Sequence, residues 1–308
     1  MGSPNAALDL VVVGCGQIGS AVARRAAHSS TVRSLRLVDH RLDKAETVAS
    51  ALVGAGVAES IAAATAGAAG NSVVVIAAQR DQVELAAEAL DAGAHVITLV
   101  ERPETAEKLF GLGDRDRCVV VGAGLLPGVA DVLTALAAQR LDQVSEVHLS
   151  RWGWAGARSA NESRRARLHE MRSGRELVWF PDPVGGRDCY LAEHAAALTV
   201  GRLLPGVQVH VRLGVANKID WLRRRRPETV GLQVEVRGWR EGSFEVEVLG
   251  VAERADVACV VVLLSAAELV AGSGSRGAIG LAELAPAEHF VHAWTNAGLT
   301  VHEFSPTT

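Results

Sequence analysis

Gly14-Cys15-Gly16-Gln17-Ile18-Gly19 constrains this chain more than any other stretch. It follows the apolar run Leu10 to Val13 and opens into Ser20 to Ala27, so the glycines fall between a predicted first strand and a predicted first helix. In that setting each glycine has a task. Gly14 makes the tight strand-to-helix turn, Gly16 lets backbone approach a pyrophosphate, and Gly19 lets the helix pack closely on the strand. The amides and dipole of the helix start, at Gln17 and Ile18, stabilise phosphate charge. A second apolar run, Ser34 to Val38, ends in Asp39, where a carboxylate can accept hydrogen bonds from a ribose hydroxyl. The plain alternative is a glycine-rich turn in an α/β fold that holds no nucleotide. Strand, helix and acid occurring together argue for the dinucleotide.

The rest of the chain sets the frame. Its 308 residues exceed what one small core accommodates, so two domains are expected. With 49% hydrophobic and 21% charged residues and a net charge of -4, the composition is that of a soluble globular protein and speaks against a general nucleic-acid binder. Cys15, Cys118, Cys189 and Cys259 are scattered without a C-x-x-C pair. Neither a zinc site nor a disulfide framework is therefore expected, and a reducing cytoplasm fits. The N-terminus has no basic region before its first apolar run, so no signal peptide is expected. Ala255 to Val270 contains Asp256 and Glu268 and reads as too short to span a bilayer, so no membrane association is expected.

Strand and helix patterns alternate through the first third, the signature of a Rossmann-type doubly wound parallel sheet. Helix is expected over Asp43 to Leu52, a weak third strand over Val57 to Ile61 and a fourth at Val73 to Ile76. A helix over Asp81 to Ala92, a fifth strand over His95 to Val100, a helix over Pro103 to Leu109 and a sixth strand over Cys118 to Val121 follow. A second glycine-rich turn, Gly122-Ala123-Gly124-Leu125-Leu126-Pro127-Gly128, then leads into a helix over Val129 to Gln139. Ligands of such sheets bind beyond the carboxyl ends of the strands. That rim comprises Gly14 to Gly19, Asp39 with His40 and Arg41, Ala77, Ala78 and Gln79, Glu101, and Gly122 to Gly128.

From Val144 the pattern changes. Val144 to Arg151 alternates as a half-buried strand, and Ser159 to Arg172 reads as a helix. Glu176 to Phe180 is extended, and Pro181-Asp182-Pro183 with Gly185-Gly186 reads as a loop. Val207 to Leu213 alternates. Leu232 to Trp239 and Phe244 to Leu249 flank Arg240 to Ser243 as an antiparallel hairpin. Ala255 to Ala271 is expected as a helix on this sheet. The second domain is thus α+β with a mostly antiparallel sheet.

Val73 to Ala78, then Asp91-Ala92-Gly93-Ala94-His95-Val96, then the Gly122 to Gly128 turn, resemble the saccharopine dehydrogenase-like family over roughly residues 8–140. Phe180-Pro181-Asp182-Pro183, Gly185-Gly186-Arg187 and Ile279 to Leu284 continue the resemblance more loosely. It implies an NAD(P)-dependent oxidoreductase working on the C–N bond of an amino or imino acid. It also implies that the last helix and strand, within Ala285 to Phe304, return to the nucleotide domain. The expected division is 1–128 for the dinucleotide, 129–284 for substrate, and 285–308 returning. One departure stands out: the family carries an acid just before the proline of the turn, where this chain has Leu126. A second resemblance is to the glucose-fructose oxidoreductase-like family, whose Glu-Lys-Pro after the fifth strand is similar to Glu101-Arg102-Pro103. Here arginine replaces lysine and is a poor proton shuttle.

Asp39 disfavours a 2′-phosphate while Arg41 could pair with one, so NAD is slightly favoured over NADP. An amino or keto acid needs a cationic clamp, for which Arg158, Arg164, Arg165, Arg167 and Arg187 are candidates, with Pro127 and Gly128 lining the substrate side. Each arginine is equally readable as part of a solvated face. Proton transfer has Glu101, His169, Tyr190 and Lys218 as candidates, with His194 beside them, each also readable as structural. His289 and His292 could share a helix face but have no third ligand nearby, so no metal is expected. Cys15 reads as a small filler. Exposed aromatic residues in the second domain fit a homodimer. Two other classes remain open at this point: a dinucleotide-binding sensor, and a lyase or cyclase that retains the cofactor without net redox change.

Overall fold

The computed structural model describes residues 7–67, 71–78, 80–113, 116–153, 175–214 and 229–304. The first half alternates as its sequence predicts: β1 (Leu8–Val13), α1 (Gln17–Ala26), β2 (Val32–Val38), α2 (Leu42–Ser50), β3 (Ala55–Val57), α3 (Ile61–Thr65), β4 (Ser72–Ile76), α4 (Gln82–Asp91), β5 (His95–Thr98), α5 (Pro103–Phe110), β6 (Cys118–Val121) and α6 (Val129–Ala138). A late strand, β13 (Gly277–Gly280), completes a seven-stranded sheet in the order β13-β6-β5-β4-β1-β2-β3. Every pairing in it is parallel. The continuous apolar runs are explained by position, because β1 and β4 are buried at every residue, as strands covered on both faces must be. The expected third strand, Val57 to Ile61, is displaced: β3 ends at Val57, and Ser60 caps α3 by accepting the Ala63 N–H.

The second sheet has the order β14-β12-β11-β7-β10-β9-β8. It is built from β7 (Gln143–Trp152), β8 (Arg175–Phe180), β9 (Gly185–Leu191), β10 (Gln208–Gly214), β11 (Thr229–Arg240), β12 (Ser243–Arg254) and β14 (His302–Phe304). All its pairings are antiparallel except β10 with β7. The β11–β12 hairpin closes through Glu241-Gly242, both at positive φ (51° and 81°), the backbone a two-residue hairpin loop demands. Residues 185 and 186, expected in a loop, already pair with Phe180 and Trp179. The Ser159 to Arg172 helix lies outside the described residues.

Three expectations about the C-terminal third are corrected. The apolar helix is α8 (Ala255–Ser273), and it rests on α1, β4 and β5 of the parallel sheet, with a smaller contact to β12. Its long apolar surface therefore fills the core of the nucleotide-side sheet rather than covering the second one. At 19 residues with mean hydropathy 2.0 it is long and apolar enough to cross a bilayer, contrary to the shorter reading, yet more than half of that window is buried within the fold. The end of the chain is also placed differently. The return to the parallel sheet is made by β13 beside β6, before residue 285. Beyond it, after α9 (Leu281–Leu284), α10 (Ala287–Asn296) packs on α6 and α8. β14 then pairs with β12 in the second sheet. Phe290 and Trp294, both fully buried, hold α10 there, so core packing decides the route.

One more helix, α7 (Ala195–Leu203), links the sheets by packing against α5, α6 and β10.

Candidate cofactor and substrate site

The glycine turn has the three local environments its spacing implies. A Cβ on Gly14 would come within 2.8 Å of the Ala78 N, and its φ is +94°. A Cβ on Gly19 would overlap the Gly14 carbonyl oxygen, which is how α1 is drawn onto the end of β1. A Cβ on Gly16 would meet nothing within 4 Å. The middle glycine thus borders an open cradle, between two glycines whose space is filled, and its backbone can be approached closely there. Gly16 is also the extended residue that starts α1, so the helix's N-terminal dipole faces that space.

Asp39 closes this cradle from the end of β2. Its Oδ2 accepts the Cys15 N–H at 2.7 Å and its Oδ1 accepts the Arg41 N–H at 3.0 Å. Lys44 Nζ lies at 3.9 Å and His40 Nδ1 at 3.1 Å. Burial alone would raise this carboxyl, but the amides of Arg41 and Cys15, with Lys44 and His40, hold it below the ordinary carboxylate range. Arg41 itself reaches Asp43 at 3.6 Å. Cys15 is buried, and burial followed by the Asp39 charge pushes its thiol up to about 11. It is an inert filler beside the glycine turn.

The other strand ends are stitched together. The Ala77 N–H donates to the Val13 carbonyl at 2.8 Å. Buried Gln82, unnoticed in the sequence, donates through Nε2 to the Ala78 and Leu99 carbonyls, each at 2.8 Å. Gln79 lies outside the described residues. The second glycine turn differs from the first. Residues 121–130 are all buried, and the space beside Gly122 and Gly128 is taken by Pro127 and by the backbone of Gly124 and Gly122. Gly122, Ala123, Gly124, Pro127 and Gly128 thus form a self-packed floor beneath the rim, with Thr98 accepting from the Gly122 and Ala123 amides.

Glu101, two residues beyond Leu99, meets the second sheet. Arg151 Nη1 of β7 donates to Glu101 Oε1 at 2.9 Å, with the side chains only 7% and 18% exposed respectively. The Glu101 carbonyl accepts the Ala195 N–H at 2.9 Å, the start of α7. His194 caps that helix, its Nδ1 accepting the Ala196 N–H at 3.2 Å. Burial, then the Arg151 charge, pulls the His194 imidazole down to about 3, so the ring is neutral. Among the described residues, His194 Nε2 and Arg151 Nε and Nη2 are buried without hydrogen-bond partners. Arg151 gave no sequence signal, because an alternating strand ending in Arg reads as a solvent-facing end. The register, Arg151 beside Leu232 and Leu213, turns it inward.

Of the remaining sequence candidates, Tyr190 is 7% exposed on β9 and faces the core. Arg187 stacks 4.8 Å over the Trp152 ring and donates to the Gly186 carbonyl, so it is engaged on the second sheet rather than at the rim. Arg158, Arg164, Arg165, Arg167, His169 and Lys218 lie outside the described residues. A buried acid that was not singled out, Asp131 of α6, accepts the Thr199 hydroxyl at 3.0 Å and the Gly128 amide. Burial pushes it up to about 8.

These features define a class: a doubly wound dinucleotide fold whose strand ends are joined to a second, mixed sheet through a buried acid–guanidinium pair. Residues 8–114 match the family described as "Oxidoreductase family, NAD-binding Rossmann fold", a span that holds the glycine turn, Asp39 and Glu101. No curated protein matches the chain in sequence. Among solved structures, saccharopine dehydrogenase (L-Glu forming) from Saccharomyces cerevisiae is similar, with a TM-score of 0.68 at 10% identity, over 97% of this chain and 100% of that one. The DAP dehydrogenase of C. glutamicum in complex with DAP follows, at TM-score 0.59 and 14% identity, over 91% and 94%. A putative myo-inositol dehydrogenase from Sinorhizobium meliloti has TM-score 0.52 and 16% identity, over 97% and 100%. At these identities the likeness is one of fold, and it runs from end to end of the chain.

Proposed function

We propose that this protein is an NAD(P)-dependent dehydrogenase or reductase acting on the C–N bond of an amino or imino acid-type small molecule. The observation that carries the cofactor half is the open cradle at Gly16, set between glycines that could not be replaced, at a helix start matched to an NAD-binding family. The Gly14 to Gly19 turn would hold the diphosphate and Asp39 the adenosine ribose, with NAD favoured because that carboxylate is ionised and faces the turn. A bound nicotinamide supplies hydride chemistry; the protein supplies position, charge and exclusion of water. Glu101, fixed by Arg151 and by the start of α7, would present a carboxylate at the strand ends where substrate meets cofactor. The dimer and the cytoplasmic setting are part of this reading.

A C–OH substrate is the second reading. It is supported by Glu101-Arg102-Pro103 directly after β5 and by the match of residues 8–114, which falls in the oxidoreductase family of the second resemblance. The test is a panel of amino acids, imino or keto acids with ammonia, and polyols, each with NAD and NADP in the direction its oxidation state requires. Coenzyme absorbance changing with the amino or imino acids supports the first reading, and with polyols alone the second. Tight coenzyme binding without any turnover would turn the reading toward a sensor. Substrate conversion with no net change in coenzyme would indicate a lyase or cyclase.

A further inference from the structure

Away from the cofactor rim, the outer face of the second sheet brings together Glu146 and His148 on β7 and His210 on β10. Alternation puts residues 146 and 148 on the same side of β7. The parallel register sets His210 directly beside His148. One ligand atom from each of the three lies within 4.8 Å of the other two. The imidazole centroids are 4.9 Å apart and tilted by 32°, and His148 Nε2 is 2.8 Å from Glu146 Oε2. All three are half-buried, held by strands rather than by loops.

From this arrangement we propose that Glu146, His148 and His210 form a zinc site that ties β7 to β10. Two imidazoles and one carboxylate on rigid strands are a donor set suited to zinc, with a fourth position left for water. Zinc at about 2.0–2.1 Å from each ligand sets donors roughly 3.4 Å apart, so modest side-chain rotation closes the triangle. The surroundings are balanced. Arg212 Nε is paired with Glu176 at 2.6 Å, and Arg237 is paired with Glu235 while its Nη1 lies 3.6 Å from Glu146. Three carboxylates therefore face two guanidinium groups, which leaves the patch with one net negative charge when the imidazoles are neutral.

Arg212 is the resident competitor. Its Nη1 lies 2.9 Å from His148 Nδ1, and a guanidinium has only donors. His148 Nδ1 therefore accepts, and its Nε2 carries the proton donated to Glu146. Zinc must displace either that proton or the Arg212 contact, so binding releases His148 from Arg212 and leaves Arg212 on Glu176. This proposal does not depend on the dehydrogenase reading.

The test is zinc titration of the full chain without an affinity tag, by competition with a chromophoric chelator. The wild type is expected to take up one zinc ion per chain and to melt at higher temperature with it. His148→Ala and His210→Ala should weaken binding at least a hundredfold, and Glu146→Gln about tenfold. Arg212→Met should strengthen binding about tenfold, which a casual surface histidine would not show. Circular dichroism and a thermal melt of each metal-free variant check that it is folded. If either histidine variant fails that check, Glu146→Gln and Arg212→Met decide. No zinc uptake by the wild type, or uptake indifferent to all four substitutions, overturns the proposal.

Discussion

Asp39 is tied to the glycine turn by the Cys15 amide and surrounded by Lys44, His40 and Arg41. Replacing it with alanine removes the proposed ribose acceptor and unmasks three basic residues. Asp39→Ala is expected to lower NAD affinity about tenfold, roughly 1.4 kcal/mol, and to shift the NAD-to-NADP preference toward NADP. Calorimetric titration with both coenzymes checks it, and an unchanged ratio would count against the role of Asp39. Arg151 belongs to a buried pair, so its loss leaves Glu101 without that guanidinium. Arg151→Met should cost about 3–5 kcal/mol in urea unfolding, and adding Glu101→Gln should recover much of it. Single residues were unevenly legible in the sequence. The meeting of Asp39 with the Gly14 to Gly19 turn was legible because successive strand–turn–helix units fix that spacing. Arg151 and Gln82 were not, because their partners are 50 and 17 residues away and only the sheet register aligns them.

At the scale of elements, α6 and α7 are joined by Asp131 and Thr199 just behind the second glycine turn. Burial holds the Asp131 carboxyl up at about 8, above its unfolded value, so this carboxyl favours the folded state fully only below about pH 4. That contribution is lost as pH rises toward 8. Asp131→Asn should therefore raise the melting temperature by a few degrees at pH 8 and change little at pH 4, as read by thermal unfolding at the two pH values. A drop at pH 8 would mean that the acid is ionised and needed. The two glycine turns look alike in sequence yet differ in use: one leaves an open cradle and the other packs on itself. Spacing alone carries no information about which space is filled.

For the whole molecule, the strand patterns of the first 140 residues predicted the parallel sheet, since each βα unit is local. The last 50 residues were misplaced, because α8 and α10 are apolar on surfaces that either sheet could have covered. The connection pattern, with β13 in one sheet and β14 in the other, makes the two sheets one structural unit. Between about pH 4 and 8 its pH response is set mainly by three buried groups. Burial and the Arg151 charge hold His194 at about 3, while burial and the Arg117 charge hold His95 at about 4. Both are neutral in the folded state, so their contribution is present above about pH 6.5 and is lost on acidification. Asp131 has the opposite slope up to about pH 8. Two histidines outweigh one acid below pH 6.5, and the acid acts alone above it. Melting temperature is expected to peak between pH 6 and 7, and a monotonic rise to pH 9 would contradict this balance.

The central claim is that backbone at Gly16 holds a coenzyme diphosphate, and Gly16→Val tests it most directly. The new side chain enters open space, so the variant should fold and melt as the wild type does. Calorimetry with NAD should show saturable binding to the wild type and at least a hundredfold weaker binding to the variant. Equal affinity in the two proteins, or no binding to either, would contradict the account.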